Sequence, residues 1–312
     1  MLSDSSLTRY GRHIYLLKRI RVAGIIFLSV MIIAGSILVF FQIRNNMTSD
    51  RQELLRVWNE GDFEQAYIIS RNALLEKPLD YFLLTINGFS AFQLGISQIN
   101  NQNMQNFINE SIFALRKAMI KKEAAKDGRV FYVLGKAYSY KGPEYADLAV
   151  TYLETASNLS FDAQDIPEFL GLAYAAFGDY RNSVAAFSNA FVPGSQPSDN
   201  LLLSIARSYI AMEEYNTAHG YLQRCVDTSP DSRSVIIARF LLAENYVNTG
   251  DLENARMQYV SIINESGENA EARFQLGEIF NMQGDMTRAR SEWRMAYRQD
   301  PAHARARARL NI

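Results

Sequence analysis

The side chains able to do covalent or metal chemistry are few and widely separated in this chain of 312 residues: three histidines, His13, His219 and His303, and a single cysteine, Cys225. Nucleophilic catalysis needs a nucleophile within hydrogen-bond reach of a base, and a metal site needs several His, Cys or carboxylate ligands converging on one point. The histidines are too scattered to form such a cluster. No GxSxG elbow, glycine-rich phosphate loop or CxxC pair occurs. The adjacent acids Glu213 and Glu214 separate two apolar segments and read as a solvated turn, and Cys225 lies inside an apolar helical segment, where a thiol behaves as a small hydrophobe. We therefore expect no enzymatic activity, no cofactor and no metal. Binding is the capability left to explain.

The elements that would position a binding surface recur. A small residue in an apolar helix, followed three residues on by an aromatic, appears at Gly135 and Tyr138, Gly171 and Tyr174, Ala206 and Tyr209, Ala243 and Tyr246, and Gly277 and Phe280, with a degenerate copy at Gly88. From Gly88 onward these small residues are spaced by 47, 36, 35, 37 and 34 residues. A turn follows at Gly142, Gly178-Asp179, Gly250-Asp251 and Gly284-Asp285. A second helix then supplies small residues at Ala156, Ala190, Ala255, Ala289 and Ala296, and Pro78, Pro230 and Pro301 close several units. A weaker upstream unit has Leu54, Leu55, Val57 and Trp58 in its first helix and Gly61-Asp62 at its turn. The stretch from Gly95 to Glu110, rich in Asn and Gln, reads as a solvated loop or a helix extension.

A period near 34 residues, with these small, aromatic and turn positions, resembles the tetratricopeptide repeat family. The resemblance runs from about residue 50 to 312, although no copy has the tryptophan of the consensus near the start of its first helix. It implies an all-α solenoid of six to seven helix pairs. In that family the first helices line a concave groove that takes a protein or peptide. Aligned on the small residues, the groove positions are Tyr132, Lys136 and Tyr140; Glu168 and Leu172; Leu203, Arg207 and Ile210; Phe240, Glu244 and Val247; and Phe274, Glu278 and Asn281. Packing between neighbouring units is the competing role for each. The carboxylate clamp of one subset of the family is not carried over, because Arg129 and Lys136 have no matching Asn and Lys in the next units.

Residues 22–43 hold no charge, and at about 1.5 Å per helical residue they span the roughly 30 Å of a hydrocarbon core. A cleaved signal peptide would have a shorter apolar region. Arg9, Arg12, Lys18, Arg19 and Arg21 precede the run, against one acid, Asp4. The positive flank keeps the amino terminus cytoplasmic. The expected organisation is a basic tail at 1–21, a transmembrane helix at 22–43 contacting the lipid bilayer, a linker at 44–49 and the repeats at 50–312, exported to the periplasmic side of the inner membrane.

The net charge of −1 conceals a gradient: residues 45–285 carry 19 basic and 30 acidic side chains, whereas residues 286–312 carry seven basic and two acidic. An acidic body disfavours nucleic acid, whose affinity is built from Lys and Arg. Arg288, Arg290, Arg294, Arg298, Arg305, Arg307 and Arg309 have two readings, a solvated end cap or a dock for an acidic partner or anionic lipid. The expected function is a membrane-anchored scaffold supporting an envelope or motility complex. A secretion-linked chaperone, a regulator of a cell-wall enzyme and an import receptor with cytosolic repeats are the alternatives.

Overall fold

The computed structural model describes residues 51–191 and 194–312. Among them are fifteen α-helices, two 3-10 turns and no strand. The tail at 1–21, the apolar run 22–43 and the linker at 44–49 lie outside the described residues, and no described helix is long and apolar enough to cross a membrane. The chain divides into two units, broken between Pro78 and Leu79.

The first unit contributes one helix pair, α1 at 51–59 and α2 at Phe63–Glu76. Gly61 takes φ +78° at the turn, and the Asp62 carboxylate caps α2 by accepting from the Gln65 amide. Leu54 and Val57 are buried, Trp58 meets Phe63 edge to face, and Leu55 faces solvent.

The second unit holds six pairs in sequence order: α3 Tyr81–Ile96 with α4 Asn101–Ala118, α5 Gly128–Lys141 with α6 Ala146–Asn158, α7 Ile166–Phe177 with α8 Tyr180–Asn189, α9 Asp199–Ala211 with α10 Tyr215–Thr228, α11 Ser232–Asn248 with α12 Leu252–Ser266, and α13 Ala270–Met282 with α14 Met286–Gln299. A short α15, Ala304–Leu310, follows. With the first unit this makes seven pairs, in line with the repeat count. The Asn- and Gln-rich stretch is a helix extension, forming the first turns of α4.

Packing within each pair explains the repeated small residue. A Cβ built on Gly135 would stand 2.5 Å from Leu153, one on Gly171 2.5 Å from the Phe187 ring, and one on Gly277 2.6 Å from the Trp293 indole. In each case a large side chain of the second helix occupies the space over the first-helix backbone. Leu222 and Tyr259 share core clusters with Ala206 and Ala243 in the intervening pairs. Phe187, Leu222, Tyr259 and Trp293 each lie sixteen residues after their small residue and are all buried. The aromatic three residues on adds a second contact in two pairs: Tyr138 stacks on Tyr152 and Tyr209 on Tyr221, with ring centroids 5.5 and 5.7 Å apart.

The Gly-Asp turns divide their labour. Gly178, Gly250 and Gly284 take φ between +82° and +88°, and Asp179, Asp251 and Asp285 cap the helices that follow. Between α9 and α10 the same turn is made by Glu213 at φ +61°, and Glu214 makes no side-chain cap.

Two stability predictions follow from this packing. Gly171→Ala should lower stability by about 1–3 kcal/mol through collision with Phe187, whereas Gly220→Ala, in α10 with no heavy atom within 4 Å of the new methyl, should raise it by roughly 0.5–1 kcal/mol. Chemical denaturation of both variants measures the difference. Glu213→Gly should raise the denaturation midpoint by relieving a left-handed residue, a gain of about 1 kcal/mol.

Candidate functional site

Consecutive first helices of the second unit touch one another, α3 with α5, α5 with α7, α7 with α9 and α9 with α11. Consecutive second helices make no comparable contact. The first helices therefore form the closely spaced inner layer of the stack and the second helices its outer layer. The candidate groove residues fall on inner-layer helices, but they differ sharply in availability.

Lys136 is enclosed. Its ammonium donates to Asp165 at 2.7 Å and to the Tyr132 hydroxyl at 2.9 Å, and it lies 4.4 Å from the centroid of Phe169, 4.9 Å from that of Tyr132 and 5.7 Å from that of Phe92. Only 13% of the side chain is exposed. The Tyr132 hydroxyl donates to Asp165, and burial together with that carboxylate pushes its pKa far up. Lys136 thus ties α3, α5 and the start of α7 together. Arg129 is likewise paired with Asp127. Neither cation is free to clamp a ligand carboxylate.

Beside this cluster the inner layer opens into a cleft of about 490 Å3. It is lined by Tyr140 and Pro143, by Ala146 and Ala149 of α6, and by Phe169, Leu172 and Ala173 of α7, with the Tyr140 and Phe169 ring centroids 6.1 Å apart. The cleft exists because small residues line α6 and α7 here, and because Gly142-Pro143 starts a 3-10 turn where four of the other units have Gly-Asp. Tyr140 and Leu172 are exposed at its mouth. Glu168 lies on its rim and makes no hydrogen bond or ion pair to a described residue. Apolar walls with one convergent charge suit a side chain of a binding partner. Sequence alignment found Tyr140, Glu168 and Leu172. It missed Phe169, one position out of register, and Asp165, whose only signal was an acid just before a first helix.

Further along, the expectations divide. Arg207 and Glu244 are exposed on the inner layer, and Phe240, half-buried, meets Tyr259 edge to face. Leu203 is not a groove residue: it is buried with Leu202, Ala206 and Leu222 in the core between units. Phe274 is not one either, being buried beneath α15, with Arg305 4.8 Å from its ring centroid and His303 5.1 Å away. Glu278 is paired with Arg309, and Glu271 with Arg305. The helix α15 occupies the position of a further first helix. Its buried Ala306 follows Ala272 by 34 residues, as Ala272 follows Ala238.

The C-terminal arginines are therefore not one free surface. Arg305 and Arg309 hold α15 down, Arg309 also stacks over Trp293, and the Arg288 guanidinium pairs with the capping Asp285 and covers Phe280. Arg290, Arg294 and Arg298 are exposed on α14. Cys225 is fully buried, and burial pushes its thiol up to about 11, as expected of a structural cysteine. No group of His, Cys, Asp and Glu able to hold a metal occurs among the described residues.

Residues 240–304 match the family model of the tetratricopeptide repeat. The helices within this stretch carry the tetratricopeptide repeat. The same fold is found in the C-terminal part of a TPR repeat-containing protein from Cytophaga hutchinsonii, at a TM-score of 0.61 and 14% identity over 84% of this chain and 99% of that one. PilW, a type IV pilus biogenesis factor, aligns at a TM-score of 0.56 and 16% identity over 72% of this chain and 98% of its own. A tetratricopeptide repeat protein from Parabacteroides merdae aligns at 0.50 and 17% over 84% and 96%. At these identities the likeness is one of fold. No curated protein sequence matches the chain.

The seat of α15 is expected to depend on pH through Glu271. Burial raises the pKa of Glu271, but hydrogen bonds from Gln275 and Arg305 and the Arg305 charge outweigh it and hold the carboxyl below its ordinary value. The stabilisation is present above the unfolded carboxyl pKa, roughly 4, and is lost as pH falls through the lowered folded value. Amide exchange read by mass spectrometry should show residues 304–310 opening before α13 and α14 as pH drops. In Glu271→Gln that helix should be looser at neutral pH and much less sensitive to acid.

Proposed function

We propose that this protein is a membrane-anchored scaffold whose inner-layer cleft at Tyr140, Phe169 and Leu172 binds a segment of a partner protein on the periplasmic side of the inner membrane. The carrying observation is the contrast along one face. Lys136, Leu203, Phe274 and Glu278 are consumed by internal packing or pairing, whereas the cleft is apolar, open and rimmed by the unpaired Glu168. An exposed apolar concavity on repeats without catalytic clusters is what a peptide ligand requires. The anchor and orientation rest on the uncharged run 22–43 and the five basic residues before it.

Within that reading the role is assembly of an envelope or motility complex through one dedicated partner. The occurrence of the fold in a pilus biogenesis factor is consistent with such a role.

Photo-crosslinking in cells from Tyr140, Leu172 and Arg207, followed by mass spectrometry, tests the proposal. One stoichiometric partner captured at Tyr140 and Leu172 is the expected result, and Leu172→Asp should reduce its capture at least tenfold while leaving helicity unchanged. A smear of unrelated exported proteins would replace the scaffold with a chaperone. Turnover of a substrate with no partner captured would sink the reading altogether.

A further inference from the structure

The outer layer carries a feature that the groove does not use. Phe113 and Ile120 are among the most exposed large apolar side chains described, at 69% and 72%. Phe113 is on α4 and Ile120 lies just past its C-terminal end, seven residues apart with Lys117 between them, so the three share one stripe. That stripe faces away from the buried side of α4, formed by Ile108, Ile112 and Leu115. The Lys117 ammonium lies 5.9 Å from the Phe113 ring centroid. A 3-10 turn at Lys122–Lys126 follows directly and brings further lysines to the same end.

Residues 113–126 contain Arg116, Lys117, Lys121, Lys122 and Lys126 against one acid, Glu123. Arg116, Lys122 and Lys126 are exposed, and no ion pair to a described residue engages any of the five basic side chains. This concentration of positive charge stands out on a chain whose residues 45–285 are strongly acidic overall. Solvated lysines alone would need no apolar neighbours, and a buried protein contact would need fewer unpaired charges.

We propose that this face of α4 and the turn after it dock on an anionic lipid surface, with Phe113 and Ile120 entering the headgroup boundary and the lysines meeting lipid phosphates. Aromatic and aliphatic residues ringed by lysines are suited to that boundary, since the rings shed water while the cations stay at the headgroups. Docking through the outer layer leaves the inner-layer cleft open. The inference does not depend on the peptide-binding reading.

The test uses the full chain carrying a nitroxide at Ala125→Cys, an exposed site in the 3-10 turn; Cys225 is fully buried and does not take the label. Spin-label accessibility to oxygen and to a water-soluble nickel chelate is compared on phosphatidylcholine vesicles and on vesicles containing about one third phosphatidylglycerol. On the anionic vesicles the nickel accessibility should fall at least threefold and recover in 0.5 M salt, because screening shortens the reach of the charges to a few ångströms. A second label at Asn216→Cys, on α10, should not respond. Phe113→Ser with Ile120→Ser, and separately Lys121→Glu with Lys122→Glu, should abolish the change while the circular dichroism stays as in the parent. Equal accessibility on both vesicle types would overturn the proposal. So would protection that appears without vesicles and grows with protein concentration, which would make the patch a contact between copies of the chain.

Discussion

The structure depends on one steric constraint, repeated down the second unit: a large side chain of the second helix rests against the small residue of its own first helix. Phe187 over Gly171 and Trp293 over Gly277 show it most clearly, since a single methyl group at either glycine would fall within 2.6 Å of the ring. The contact fixes how closely and at what rotation the two helices pair. Within the second unit each pair then packs its apolar face against the next pair, so the core extends from pair to pair.

Stacking by this rule places the first helices side by side and leaves the second helices apart. Polar residues at the edges of the inner layer are then used to tie neighbours together. Asp165 takes both Tyr132 and Lys136 from the preceding unit, and Asp127 takes Tyr81 in the same way. At the far end α15 repeats the arrangement with Arg305 on Glu271 and Arg309 on Glu278. Two of the charges that look like ligand contacts along the sequence, Lys136 and Glu278, are spent in this way. The cleft beside Tyr140 is where that sealing lapses, because Ala146, Ala149 and Ala173 leave a space that no neighbouring side chain fills.

The two surfaces of interest lie on opposite layers and differ in character. The cleft is apolar with a carboxylate at its rim, and it lies among the most acidic part of the chain. The end of α4 is apolar with lysines around it. Under the proposals above, attachment through the outer layer would not compete with a ligand on the inner one.

The repeat, its period, the turn residues and the small positions were legible along the chain because each reflects a local rule: a glycine for a left-handed turn, an aspartate for a helix cap, a missing side chain at a crossing. The seven helix pairs and the burial of Cys225 follow from those rules directly. The available groove residues did not. Leu203 and Glu168 look equivalent in an alignment, each three residues before its small residue, yet Leu203 is packed between units and Glu168 stands on the rim of an open cleft. Phe274 and Glu278 look exposed until α15 folds over them. Local pattern sets which face of a helix points inward. Which inward-facing side chains remain uncovered is decided by what the next unit places against them, about 34 residues away in sequence and a few ångströms away in space.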